Sequence, residues 1–144
     1  MAMTTVRQLI QLKGQDIWSI GPGSSVYDAL RMMADKGVGA LLVMENEKLV
    51  GIISERDYAR KVILKGKASM DTRVSEIMTS VLFTVHPDQT VHECMEVMTN
   101  KHIRHLPVMM DDKVLGIISI GDVVKDIIYQ QRETIKDLER HVTG

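Results

Sequence analysis

The chain has 144 residues, 44% of them hydrophobic, enough to bury the core of one ordinary domain or two small ones. Eighteen Lys and Arg stand against nineteen Asp and Glu, a net charge of −1 without any long basic block, which argues against a nucleic-acid partner. No run approaches the roughly 20 apolar residues of a membrane helix, the N-terminus MAMTTVRQLIQ lacks the cationic start and apolar centre of a signal peptide, and the single Cys94 cannot form an internal disulfide. The expectation is a cytoplasmic protein with no membrane partner. Its interior should be aliphatic and adaptable, since aromatics are only 3% and methionines number eleven.

In chain order, VRQLI at residues 6–10 is a short helical lead-in. The alternating run IWSI predicts a strand and GPGSS a turn. Val26, Leu30 and Met33 then fall at helical spacing behind Ser25, a suitable N-cap. Two strand-like runs follow, GALLVM and KLVGIIS, separated by the polar ENE as in a hairpin, and a helix over RDYARKVIL. Residues 64–80, LKGKASMDTRVSEIMTS, are polar at first and end in a second helical lead-in, VSEIM. The same succession then returns: LFTV, the turn HPDQT, a helix with Val91, Met95 and Met98 behind Thr90, the strands RHLPVMM and KVLGIIS around DD, and a helix opening GDVVKDIIYQQ. That last helix should run from Gly121 to about Arg140. Beyond the core-facing Val123 and Ile127 it carries Val124, Ile128, Gln131, Ile135, Leu138 and Val142 at alternating four- and three-residue spacing, the seam of a short coiled coil.

The recurrence is an internal repeat. Gly51 and Gly116 lie 65 residues apart, and the same offset pairs Pro22 with Pro87, Met33 with Met98, Leu41 with Leu106, Ser54 with Ser119 and Asp57 with Asp122, so residues 16–63 match 81–128 without a gap. Each copy is a strand-helix-strand-strand-helix unit of about 50 residues, too small to bury its sheet face alone. The expected fold is therefore α/β (α+β), two β-α-β-β-α repeats packed sheet to sheet as a pseudo-twofold pair of short mixed sheets with helices. By repeat, the chain divides into residues 1–73, 74–129 with their own lead-in, and a C-terminal helical extension at 130–144.

Both copies end their second hairpin strand with Gly-Ile-Ile-Ser-x-x-Asp. Read from the residues alone, Ser54-Glu55-Arg56-Asp57 is a capping box: Ser at the N-cap accepts from the N3 amide, and the N3 carboxylate reaches back to the N-cap amide. A carboxylate so held is also a good acceptor for two vicinal hydroxyls.

VSEIMTS followed by FTVHPDQTV, HIRHLPV and the terminal GIIS-x-x-D in copy two, and WSIGPGSSVYDAL, GVGALLV and GIISERDY in copy one, resemble the cystathionine β-synthase (CBS) domain pair over almost the whole chain, from about Val6 to about Tyr129. The resemblance implies a two-lobed sensor instead of an enzyme. It implies an adenosine-containing ligand, with AMP foremost and ATP, NAD or S-adenosylmethionine as the other candidates, in clefts between the paired sheets. It also implies a disc-like homodimer, and with no effector domain in the chain the regulated protein would be a separate one. Carried over residue by residue, Asp57 and Asp122 would take ribose hydroxyls, and Ser54 and Ser119 would lie near phosphate, beside the free amides of a helix N-terminus. Val38, Gly39, Ala40 and Leu41, and Ile103, Arg104, His105, Leu106 and Pro107, would supply the adenine slot, closed by Ser19 and Ile20 or Thr84 and Val85. Arg56 adds a guanidinium in copy one where copy two has Gly121, and Arg104-His105 stand where copy one has Gly39-Ala40, so the two sites should be unequal. The alternative is an oligomerisation module with vestigial clefts.

Other signals point to structure. His102 and His105 lack a carboxylate or thiolate at ligand spacing, so no metal is expected. Cys94 reads as a small buried hydrophobe, and His86 and His92 have no partner that would make a catalytic pair. GPGSS lacks the lysine of a phosphate loop. Arg60, Lys61, Lys65, Lys67 and Arg73 read as a solvated face.

Overall fold

A computed structural model describes residues 4–14 and 16–143. Among these the elements are α1 (Val6–Lys13), β1 (Ser19–Ile20), α2 (Val26–Lys36), β2 (Ala40–Glu45), β3 (Lys48–Ser54), α3 (Glu55–Tyr58), α4 (Val74–Ile77), α5 (Val91–Lys101), β4 (His105–Met110), β5 (Lys113–Ser119) and α6 (Ile120–Thr143). The mixed α/β class follows the sequence reading, and copy one keeps the strand-helix-strand-strand-helix order. The chain forms two compact units: one holds residues 16–82 with 112–114, the other the N-terminal segment, residues 83–111 and the chain from 115 onward.

In the first unit β1 lies parallel to β2, pairing Ser19 with Leu42 and Ile20 with Val43, and β2 runs antiparallel to β3 from Ala40–Ser54 to Glu45–Lys48. The hairpin closes through Asn46 and Glu47 at φ 51° and 66°. Two positive φ values in a two-residue loop match the right-handed twist of the flanking strands. Ser25 accepts from the Asp28 amide at 3.1 Å to start α2, and Gly37 ends it in the left-handed conformation. Val26, Ala29 and Met33 on the inner face of α2 pack with Leu41, Val43 and Ile53 of the sheet.

Copy two repeats this plan. Asp111 and Asp112 close its hairpin at φ 49° and 67°, and His102 takes the left-handed C-cap position that Gly37 fills in copy one. Cys94 is fully buried where copy one has Ala29, and burial pushes its thiol up to about 11. Two expected elements differ. LFTV does not form a strand and makes one isolated bridge, Val85–Val108, the counterpart of Ile20–Val43. The physical cause is Pro107. Leu42 donates its amide to the Trp18 carbonyl at 3.2 Å, whereas proline at the equivalent position has no N–H to donate. The helix expected over RDYARKVIL is only the four residues of α3, continued by a wider π-helical turn, Ala59–Ile63, that buries Val62 in the core and leaves Ile63 and Leu64 exposed. In copy two α6 instead runs unbroken for 24 residues, past the expected end at Arg140.

The division by repeat and the division in space cut the chain differently, because the two lead-ins are exchanged. Val6 N donates to the Gln89 carbonyl (2.8 Å), Arg7 N to that of Pro87 (2.9 Å), and Val91 N to that of Thr4 (2.9 Å), so α1 docks on copy two. The same three bonds recur as Val74 N to Ser24 (2.8 Å), Ser75 N to Pro22 (2.9 Å) and Val26 N to Thr72 (2.8 Å), docking α4 on copy one. Each lead-in thereby accepts the first amide of the other copy's long helix, which would be an unsatisfied donor at a helix start. Val6 and Val74 are fully buried by this docking.

Candidate functional site

Both Ser-x-x-Asp motifs sit where a hairpin strand turns directly into a helix. In copy one Ser54 Oγ accepts from the Asp57 amide at 3.2 Å, and Asp57 Oδ2 accepts from the Ser54 amide at 3.0 Å and the Ser54 hydroxyl at 3.1 Å. In copy two Ser119 Oγ accepts from the Asp122 amide at 3.2 Å and Asp122 Oδ2 from the Ser119 amide at 2.9 Å. The reciprocal capping box is present twice. The first helical amide is also engaged: Glu55 N donates to the Gly39 carbonyl at 3.1 Å, and Ile120 N to the Arg104 carbonyl at 2.8 Å. This corrects the expectation of free amides, since two of the first three, N1 and N3, are already satisfied inside the protein. The same bonds bring the start of the middle strand, Gly39 or Arg104, against the motif.

The remaining polar neighbours differ between the copies. On Asp57, Lys61 reaches Oδ1 at 3.2 Å and the Thr79 hydroxyl donates to the same oxygen at 3.4 Å, while Lys61 also donates to the Ile77 carbonyl at 2.9 Å. On Asp122 the cation is Lys13, the last residue of α1, at 2.6 Å from Oδ2, and Lys13 also donates to the Ile117 carbonyl at 2.7 Å. Burial pushes the Asp122 carboxyl up, but the Lys13 ammonium and the Ser119 amide and hydroxyl outweigh it and hold the group below its usual value. Sequence reasoning missed these three partners. Lys61 stands one helical turn from Asp57, a spacing that predicts contact and sets it apart from the solvated basic face; Arg60, Lys65 and Lys67 are exposed.

The other expected residues divide by burial. Leu41 and Leu106 have no exposed surface and belong to the cores, with Ala40, Ile20 and Val85 also buried. Val38 and Ile103 are partly buried, packing against those cores, and Ser19, Thr84 and Arg104 are exposed. Arg56 and His105 are half-buried. Pro107, expected in the adenine slot, is buried in β4 with its carbonyl accepting from the Val85 amide at 3.0 Å. Among the described residues no helix is long and apolar enough to cross a membrane.

Comparison with known proteins converges on one family. The CBS domain profile matches residues 6–64 and 74–129. Over 151 aligned positions the chain is 39% identical to the CBS domain-containing protein CBSX3, mitochondrial, of Arabidopsis thaliana, covering 98% of this chain and 73% of that one. A putative signal-transduction protein with CBS domains from Burkholderia ambifaria MC40-6 superposes with a TM-score of 0.85 at 47% identity, over 89% of this chain and 96% of that one. The CBS domain pair of protein MJ0100, solved in complex with 5′-methylthioadenosine and S-adenosyl-L-methionine, superposes with a TM-score of 0.80 over 90% of this chain and 99% of that one; at 24% identity it is a likeness of fold.

Proposed function

We propose, starting from the fact that this chain belongs to the CBS domain family as a tandem pair, that it is a regulatory module whose Ser-x-x-Asp motifs hold an adenosine nucleotide. The observation that carries the reading is the repeated, preorganised carboxylate of Asp57 and Asp122, each held by its own serine beside the start of a strand. A carboxylate fixed in this way offers charge-assisted acceptors to the vicinal hydroxyls of a ribose. Val38 and Ile103 are the partly exposed apolar residues that suit an adenine face, and Arg56 in copy one and Arg104 with His105 in copy two suit phosphate. AMP is the leading ligand and ATP or NAD the alternatives. The module acts in the cytoplasm on a separate protein, by regulation instead of catalysis.

Assembly is part of the same reading. Val124, Ile128, Ile135, Leu138 and Val142 of α6 are 39%, 43%, 55%, 60% and 87% exposed, a stripe that a second copy would cover in a homodimer. That stripe also favours the second reading, an oligomerisation module with vestigial nucleotide sites. Calorimetric titration with AMP, ATP, NAD and S-adenosylmethionine separates the two. Binding of at least one below millimolar supports the sensor, and no heat from any of the four leaves the oligomerisation module.

A further inference from the structure

The two motifs look alike in sequence, but their carboxylates are held by opposite oxygens. Lys13 approaches Asp122 on Oδ2, the oxygen that already caps α6, and among the described residues no hydrogen bond reaches Oδ1 of Asp122. Lys61 and Thr79 approach Asp57 on Oδ1, the oxygen that its own cap leaves available. Both lysines are anchored a second time, to the Ile117 and Ile77 carbonyls, so neither is a loosely swinging cation.

We propose that Lys13 is a positioning residue that presents the open oxygen of Asp122 to a ligand diol, while Lys61 and Thr79 mask Asp57, so that copy two is the ready site and copy one the latent one. This rests on the nucleotide reading above and adds an order of filling to it. A diol arriving at Asp122 meets an unoccupied acceptor on a carboxylate that Lys13 has fixed in orientation. A diol arriving at Asp57 must first displace an ammonium and a hydroxyl. Lys13 comes from the exchanged lead-in, so the readiness of copy two belongs to α1 and not to the repeat itself.

Site-resolved NMR titration with AMP, following the backbone amides of Asp57 and Asp122, tests it. In the wild-type chain the Asp122 amide should saturate at an AMP concentration about fivefold or more below that of the Asp57 amide. Lys13→Met, which keeps the aliphatic stem, should weaken AMP at Asp122 about tenfold and leave Asp57 unchanged, while Lys13→Arg retains the wild-type affinity. Lys61→Met should do the reverse in sign, tightening the Asp57 site. With 2′,3′-dideoxy-AMP, which lacks both hydroxyls, Lys13→Met should bind as the wild type does. An equal loss for AMP and the dideoxy compound means a merely structural lysine and overturns the inference, as does filling of Asp57 first. If neither amide responds to millimolar AMP, the nucleotide reading falls and this inference with it.

Discussion

Gly51 and Met78 pack so closely that a Cβ on Gly51 would meet the Met78 sulfur at 2.7 Å, with the Thr79 carbonyl at 3.0 Å behind it. Gly116, the same position in copy two, would meet only Ile10, at 3.6 Å. Met78 and Ile10 are equivalent positions of the two exchanged lead-ins, each four residues after the buried Val74 or Val6, so one repeated glycine faces a tight contact in one copy and an ordinary one in the other. Gly51→Ala is therefore expected to lose about 1–3 kcal/mol in urea unfolding, because the Thr79 backbone cannot swing away as the methionine can. Gly116→Ala should be neutral or gain up to about 1 kcal/mol from the reduced entropy of the unfolded chain. Equal losses would mean that the two lead-ins dock equally tightly.

Asp122 makes stability depend on acid. Its folded carboxyl titrates below the usual 3.8 despite the upward push of burial, because Lys13 and Ser119 favour the ionised form. A depressed folded value contributes stability above the unfolded value and loses it as pH falls through the folded one. Urea midpoints measured from pH 5 to pH 2 should thus fall more steeply below about pH 4 in the wild type than in Asp122→Asn, which has no proton to take up there. Parallel curves would mean that the Lys13 contact does not hold in solution.

Pro107→Leu restores an amide to the position that Leu42 holds in copy one. The new N–H is expected to bond the carbonyl of Phe83 as Leu42 bonds that of Trp18, extending the single Val85–Val108 bridge into a strand pair. Hydrogen exchange reads this directly, as a protected amide at residue 107. Rapid exchange there would show that something other than the missing donor keeps LFTV from pairing.

Ile135→Asp combined with Leu138→Asp places two charges on the exposed stripe of α6. Sedimentation velocity should show the proposed dimer replaced by a monomer, with the circular dichroism of the helices retained, since neither side chain belongs to a core cluster. A wild-type chain that sediments as a monomer at every concentration would remove the homodimer.

What the sequence disclosed was local chemistry. The hairpins, the Ser25, Thr90 and Ser54 caps, and the burial of Cys94 in place of Ala29 each depend on residues within a few positions of one another, and the ungapped repeat doubled every signal. What it hid depends on distance or on a missing group. Lys13 and Asp122 are 109 residues apart, and no periodicity links them. Pro107 was legible as a residue without a donor, yet its effect fell on LFTV, more than twenty residues upstream. The lead-ins resembled each other only loosely, which concealed that each serves the other copy. The resemblance places Leu41 and Leu106 in the adenine slot, but β2 and β4 are buried on both faces there, with Ala40 to Val43 and Leu106 to Val108 all inside, so neither leucine has surface to offer a ligand.

The exchange of lead-ins also sets an order of events during synthesis. Nearly all of one unit, residues 16–82, is contiguous and carries α4 at its own end, so its parts are complete once that stretch has left the ribosome. Its neighbour is discontinuous: α1 emerges first, and Val6, Leu9 and Ile10 have no site to bury them until residues 83–123 follow. Until the last strand pair closes over it, this amphipathic helix has no partner for its apolar face within its own unit.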